Sequence, residues 1–163
     1  MTVVCDASPL IVLAKLDRLN LLNPLFGRDV VVLECVANEV TSRRASVIET
    51  QRLTRFFETG AQVVPFSESD VESKSLSKCD QSVLTYALSH SVDWLVVDER
   101  LLRRIAIEKG VAVVGTLGVL VESANRRLIS RAEARANLQQ AVGSHNLRIS
   151  VALYQRILAE LRD

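Results

Sequence analysis

Aromatic residues are scarce in this chain, with one Trp, two Tyr and four Phe among 163 residues. A groove that stacks unpaired nucleobases needs several rings in register, so the composition argues against recognition by base stacking. Glycine is also sparse, at six, and no two stand in Gly-x-Gly spacing, which argues against the phosphate-cradling turn of a dinucleotide-binding domain. No Pro/Gly/Ser-rich stretch divides the chain, so residues 1–163 are expected to form a single domain. No apolar run approaches ~20 residues and no basic leader with a cleavage site opens the sequence, so a soluble cytoplasmic protein without membrane contact is expected. The three cysteines, Cys5, Cys35 and Cys79, are odd in number, widely spaced and free of Cys-x-x-Cys patterning. That disfavours both zinc and a disulfide framework, and each is expected to serve as a small core or near-core residue.

A net charge of +1 provides no overall field for a polyanion, so any nucleic-acid contact must use local clusters. The pairs Arg43-Arg44, Arg103-Arg104 and Arg126-Arg127 are the candidates, with solvated helix faces as the plainer reading of each.

What the chain has in abundance is aliphatic sequence: 48% of residues are hydrophobic. Short β-branched runs at Thr2–Cys5, Asp29–Leu33, Gln62–Pro65, Trp94–Val97 and Val111–Val114 alternate with helical patterns. In Trp94–Val97 the apolar residues follow one another without period-2 alternation, as in a strand covered on both faces. The pattern predicts a three-layer α/β/α sandwich with a mainly parallel sheet over residues 1–125, completed by C-terminal helices over 126–163.

Four acids sit at informative places. Asp6 follows the first strand, and Ser8 with Pro9 offers a separate N-cap and first helical residue, leaving Asp6 without a structural task. Asp98 follows the Trp94–Val97 strand. It is either the N-cap of a helix starting at Glu99 or a carboxylate at the rim where α/β sheets bind ligands. Asp80 heads a stripe of Val83, Leu84, Ala87 and Leu88, so it points toward the sheet; either it or Ser77 caps that helix. Glu39 borders a buried helix face near a C-terminus, where an acid opposes the macrodipole; an ion pair with Arg43 is the structural alternative. Thr116, at the end of the last strand, is expected to cap the next helix or to lend its hydroxyl to a metal-bound water. Crowded carboxylates call for a cation, and hard oxygen donors suit Mg²⁺ or Mn²⁺, whose natural chemistry is phosphodiester hydrolysis.

The order of these acids, in Val-Val-Cys-Asp-Ala-Ser around Asp6, Val-Ala-Asn-Glu-Val around Glu39, Cys-Asp-Gln-Ser around Asp80 and Leu-Val-Val-Asp-Glu-Arg around Asp98, resembles the four-acid site of PIN-domain nucleases. The stretches Asp6–Lys15, Val113–Leu120 and Asn146–Tyr154 are similar to a prokaryotic branch close to the VapC-type toxins. The resemblance implies a Mg²⁺- or Mn²⁺-dependent endoribonuclease, often dimeric and silenced by a small antitoxin. Asp6, Asp80 and Asp98 would hold the metal, and Glu39 would be a ligand or position the attacking water. Ser8, Glu99 and Thr116 would be accessory residues, and Arg43, Arg44, Arg103 and Arg104 would contact RNA. At the third acid, relatives show Gly-Glu and a further acid two residues on, whereas this chain has Cys79-Asp80 and Ser82. The resemblance therefore implies a less acidic pocket, with single-metal operation or Glu99 as an outer ligand. The alternative function is a degenerate PIN scaffold that binds a protein partner or RNA without cutting.

Overall fold

The central strands, Thr2–Cys5, Asp29–Leu33 and Trp94–Val96, are mostly apolar and need cover on both faces, and the topology provides it. The computed structural model describes residues 1–162 and contains five strands: β1 (Thr2–Cys5), β2 (Asp29–Leu33), β3 (Gln62–Val64), β4 (Trp94–Val96) and β5 (Val113–Val114). All pair in parallel, in the order β3-β2-β1-β4-β5. Val3, Val4 and Cys5 of β1 and Leu95, Val96 and Val97 at β4 are fully buried. Each such aliphatic side chain contributes about 1.5–3 kcal/mol of burial energy.

Helix α1 (Ala7–Lys15), a 3-10 turn (Leu19–Leu21) and α2 (Leu22–Phe26) link β1 to β2, while α3 (Glu34–Ser42) and α4 (Val47–Thr59) link β2 to β3. Helix α5 (Lys78–Ser89) precedes β4 and α6 (Arg100–Glu108) joins it to β5; α7 (Thr116–Asn125), α8 (Arg131–Ser144) and α9 (Val151–Glu160) follow. Helices α1, α3, α4 and α7 pack as one group, and α5 and α6 as another. The result is the expected three-layer α/β/α arrangement. The chain moves outward from β1 to β3, then returns to the opposite flank of β1 for β4. The sheet's switch point, where open α/β sheets bind ligands, thus lies between the carboxyl ends of β1 and β4.

Several local expectations change. Helix α1 starts at Ala7, with Asp6 in the N-cap position but making no side-chain cap bond, so Ser8 is not the cap and Pro9 is not the first helical residue. Pro9 is tolerated at the third position because the first four helical N–H groups have no intrahelical partner. The capping question at α5 resolves into both residues: the Ser77 hydroxyl accepts from the Asp80 N–H at 3.0 Å, and Asp80 Oδ2 accepts from the Ser77 N–H at 3.2 Å. Among the described residues no helix is long and apolar enough to cross a membrane.

The reading of the cysteines is overturned. Cys35 and Cys79 form a disulfide with Cα atoms 5.8 Å apart, across a sequence separation of 44. Each lies in the first turn of a helix, and the crossovers bring those two helix starts together; spacing along the chain carries no trace of this. Cys5 is a free, buried core residue, as expected.

The C-terminal helix α9 buries Ile157 and, just past its end, Leu161, but leaves Val151 73% exposed. Its last turn is held from α8. Arg131 Nη1 donates to the carbonyls of Glu160 (3.1 Å) and Arg162 (2.8 Å), satisfying groups that a helix C-terminus leaves open.

Candidate active site

Asp6 is the first residue beyond β1, and its N–H donates to the Val96 carbonyl at 2.9 Å, extending the β1–β4 ladder to the switch point. Its side chain is 4% exposed. Burial pushes the Asp6 carboxyl up to about 7; the Ala7 N–H opposes the rise, and the Asp80, Glu39 and Asp98 carboxylates add to it. Asp6 therefore feels the acids at 39, 80 and 98, and Glu39 feels Asp80. Topology brings them together, since β1, α3, α5 and β4 all deliver their acids to one rim.

Asp98 is half-buried and free of capping duty. Glu99 is the N-cap of α6, its carboxylate accepting from the N–H groups of Leu101 (3.0 Å) and Leu102 (2.6 Å). This overturns the reading of Asp98 as the cap. A carboxylate two residues before a helix's first free N–H groups reaches them more easily than one a residue further back. The Asp98 carboxylate is instead held by Thr116, whose N–H donates to Oδ1 and whose hydroxyl donates to Oδ2. Thr116 is fully buried and is the first residue of α7, with Gly115 in the N-cap position, so the expected capping role is also corrected. Burial raises the Asp98 carboxyl above its usual range, while the two Thr116 bonds and the Arg103 guanidinium pull it down.

Glu39 lies on the exposed side of α3, and burial followed by the Asp80 carboxylate raises its pKa. Its expected partner is taken. Arg43 pairs with Glu49, Nη2 to Oε2 at 2.8 Å, because the chain turns away from α3 at Arg43 and α4 presents Glu49 in its first turn. Asp80 spends Oδ2 in its capping box, leaving Oδ1 outside it. Ser8 is half-buried in the first turn of α1.

The arginines separate. Arg103 Nη1 donates to the Val97 carbonyl at 3.0 Å, which fixes a cation beside Asp98. Arg104 is exposed and stands 3.9 Å from Glu108, one helical turn on. Arg44 is exposed past the end of α3. Arg126 is bound to Glu122 (2.6 Å) and to the Leu25 carbonyl (3.2 Å).

Sequence reasoning missed the close approach of Gly115 to the site. A Cβ there would lie 2.7 Å from Asp98 Oδ1 and 3.2 Å from Arg103 Nη1. The signal was present as Gly-Thr at the end of the strand next to β4.

The family model of the PIN domain matches residues 2–163. The chain belongs to the PIN-domain family. No curated protein and no solved structure matched it. PIN domains are, as a family, nucleases, and they typically use divalent metals. Among the described residues of this PIN domain, no three His, Cys, Asp or Glu side chains stand close enough together to enclose a metal ion. The donor set nevertheless fits a hard, hydrated cation. The four acids present only oxygen, and burial, with a further contribution from the three neighbouring carboxylates, raises the Asp6 carboxyl, a cost that a bound cation would offset.

Proposed function

We propose that this PIN domain is a Mg²⁺- or Mn²⁺-dependent endoribonuclease, the toxin of a toxin–antitoxin pair close to the VapC type, acting in the cytoplasm. The observation that carries the reading is the placement of Asp6 and Asp98 on either side of the switch point, with Asp80 and Glu39 near enough to raise the Asp6 carboxyl. Asp6, Asp80 and Asp98 would hold the metal. Bound there, the ion supplies an activated water and charge neutralisation for phosphodiester hydrolysis. Glu39, the most exposed of the four, is the ligand or water-positioning group nearest solvent. Arg103, fixed beside Asp98, is suited to receive a backbone phosphate. Arg43 is engaged with Glu49, so Arg44 and Arg104 are the more available RNA contacts. The toxin assignment, with its antitoxin and homodimer, draws its support from the sequence resemblance. The exposed apolar residues Val47, Ile48 and Val151 supply contact surface for such partners.

The test is incubation of the protein with structured and unstructured RNAs, with and without Mg²⁺ or Mn²⁺, beside Asp6→Asn and Asp98→Asn. Metal-dependent cleavage lost in both variants is expected; equal cleavage by all three proteins would mean contamination and sink the assignment. The second reading, a scaffold that binds without cutting, is favoured by the spread of the acids, which enclose no site on their own. Absence of binding at millimolar Mn²⁺ would select it.

A further inference from the structure

The Cys35–Cys79 bridge takes no part in the proposed cleavage, yet it joins the two helices that carry two of the acids. Cys35 lies one helical turn before Glu39 on α3, hence on the same side of that helix. Cys79 immediately precedes Asp80 in the first turn of α5. The Cα separation of 5.8 Å lies within the range that a disulfide spans.

The main packing of each helix lies elsewhere. Helix α3 packs on α1, α4, β2 and β3, whereas α5 packs on β1 and α6. Residues 65–77, which lead into α5, form no helix or strand. The Asp80 carboxylate also repels that of Glu39, which favours separation of the two helix segments when no cation lies between them. The covalent link opposes that separation.

We propose that Cys35 and Cys79 form a reversible thiol–disulfide site that sets the approach of α3 to the start of α5, and with it the spacing of Glu39 and Asp80, in response to small thiols and disulfides. The consequence for metal binding rests on the four-acid reading above; the clasp itself does not. Both cysteines are half-buried, so a small reagent reaches them, while Cys5 is fully buried and its thiol is pushed up by burial and by Asp6, which keeps it out of exchange. In the closing direction, one protein thiolate attacks a sulfur of a small disulfide such as oxidised glutathione, expelling a thiolate and forming a mixed disulfide. The second protein thiolate then attacks the protein-side sulfur and expels the other small thiolate. Two protein thiols are oxidised, one small disulfide is reduced to two thiols, and the two protein protons end on those thiols.

The experiment equilibrates the full chain in glutathione buffers from fully reduced to fully oxidised. Each sample is then divided among acid-quenched alkylation with intact mass, amide hydrogen exchange over Lys78–Leu84 and Mn²⁺ titration. Two thiols should become protected together as the buffer is made more oxidising. Exchange at the start of α5 should slow about tenfold in the bridged form, and Mn²⁺ should bind at least threefold more tightly. Cys35→Ser and Cys79→Ser, checked for fold by circular dichroism, should behave as the reduced chain at every poise. Thiols that stay alkylatable under all conditions would overturn the proposal, as would identical exchange in the two forms. Redox-dependent exchange without Mn²⁺ binding in either form would keep the clasp and remove the nuclease reading. Asp98-dependent RNA cleavage with exchange and Mn²⁺ affinity indifferent to poise would do the reverse.

Discussion

Thr116 grips both oxygens of Asp98, its N–H donating to Oδ1 at 2.7 Å and its hydroxyl to Oδ2 at 2.6 Å. The two residues are 18 apart in sequence and meet because β5 lies beside β4, so that the start of α7 faces the residues following β4. The carboxylate is thereby fixed in orientation without a neighbouring cation having to neutralise it outright. Removing one of its two donors leaves a half-buried charge under-satisfied.

Thr116→Val keeps the shape and the N–H but deletes the hydroxyl. It should cost about 1.5–3 kcal/mol of stability, the range for a hydrogen bond to a charged group, and slow RNA cleavage at least tenfold. Thr116→Ser should recover most of both. Urea unfolding alongside cleavage kinetics checks this, and wild-type behaviour of the valine variant would show that the bond is incidental.

Metal-free stability should fall as pH rises toward neutrality. The folded chain keeps Asp6 protonated up to about pH 7, whereas the unfolded chain releases that proton near pH 4. Between those values the folded state holds the extra proton, so the stability difference is fully present below about pH 4, is lost progressively and levels off above about pH 7. The loss is on the order of 4 kcal/mol from this one group, and the raised Glu39 and Asp98 carboxyls act in the same direction. Thermal melts in EDTA from pH 4.5 to 8 should show the decline, Asp6→Asn should flatten it, and Mn²⁺ should restore stability at pH 7.5. A melting temperature that climbs over this interval in the wild type would contradict the burial argument.

Opening the Cys35–Cys79 bridge frees a loop of 44 residues in the unfolded chain. Loop-closure entropy puts the cost at about 4 kcal/mol. Denaturant titrations with and without reductant should show a drop of that order, and Cys35→Ser or Cys79→Ser should be insensitive to reductant. Cys5→Ser should keep the full response.

Glu99 serves α6 as its N-cap, with both carboxylate oxygens engaged by backbone N–H groups. Glu99→Ala should therefore cost about 1 kcal/mol of stability while leaving Mn²⁺ affinity within twofold of wild type. A tenfold loss of Mn²⁺ affinity in calorimetric titration would return Glu99 to the ligand set.

The layer architecture was legible because it is written in local pattern. Unbroken apolar runs at Val30–Leu33 and Trp94–Val97 demand cover on both faces, and Gly27 and Gly60 end helices within reach of the pattern. Asp6, Asp80 and Asp98 stood out because each lies at an element boundary, where a sequence reader can place a side chain. Helix starts were read less well. Asp6 and Ser8, and likewise Asp98 and Glu99, each stand one or two residues apart before a helix, and which of them takes the N-cap position depends on the angle at which the chain leaves the strand.

Local hydrophobic pattern and boundary chemistry thus sufficed for the kind of fold, the alternation of its elements and the identity of four acids, because these depend on residues within a turn or two of one another. The partners of those acids came only with packing. Thr116 beneath Asp98, Arg103 beside it, Glu49 drawing Arg43 away from Glu39, and Cys35 bridged to Cys79 join residues on different elements. Their meeting follows from which strand lies next to which, and from the angle of each crossover, in a sheet whose order turns at β1. That order reflects the burial of the whole aliphatic core at once, a collective quantity that no short stretch of the chain encodes.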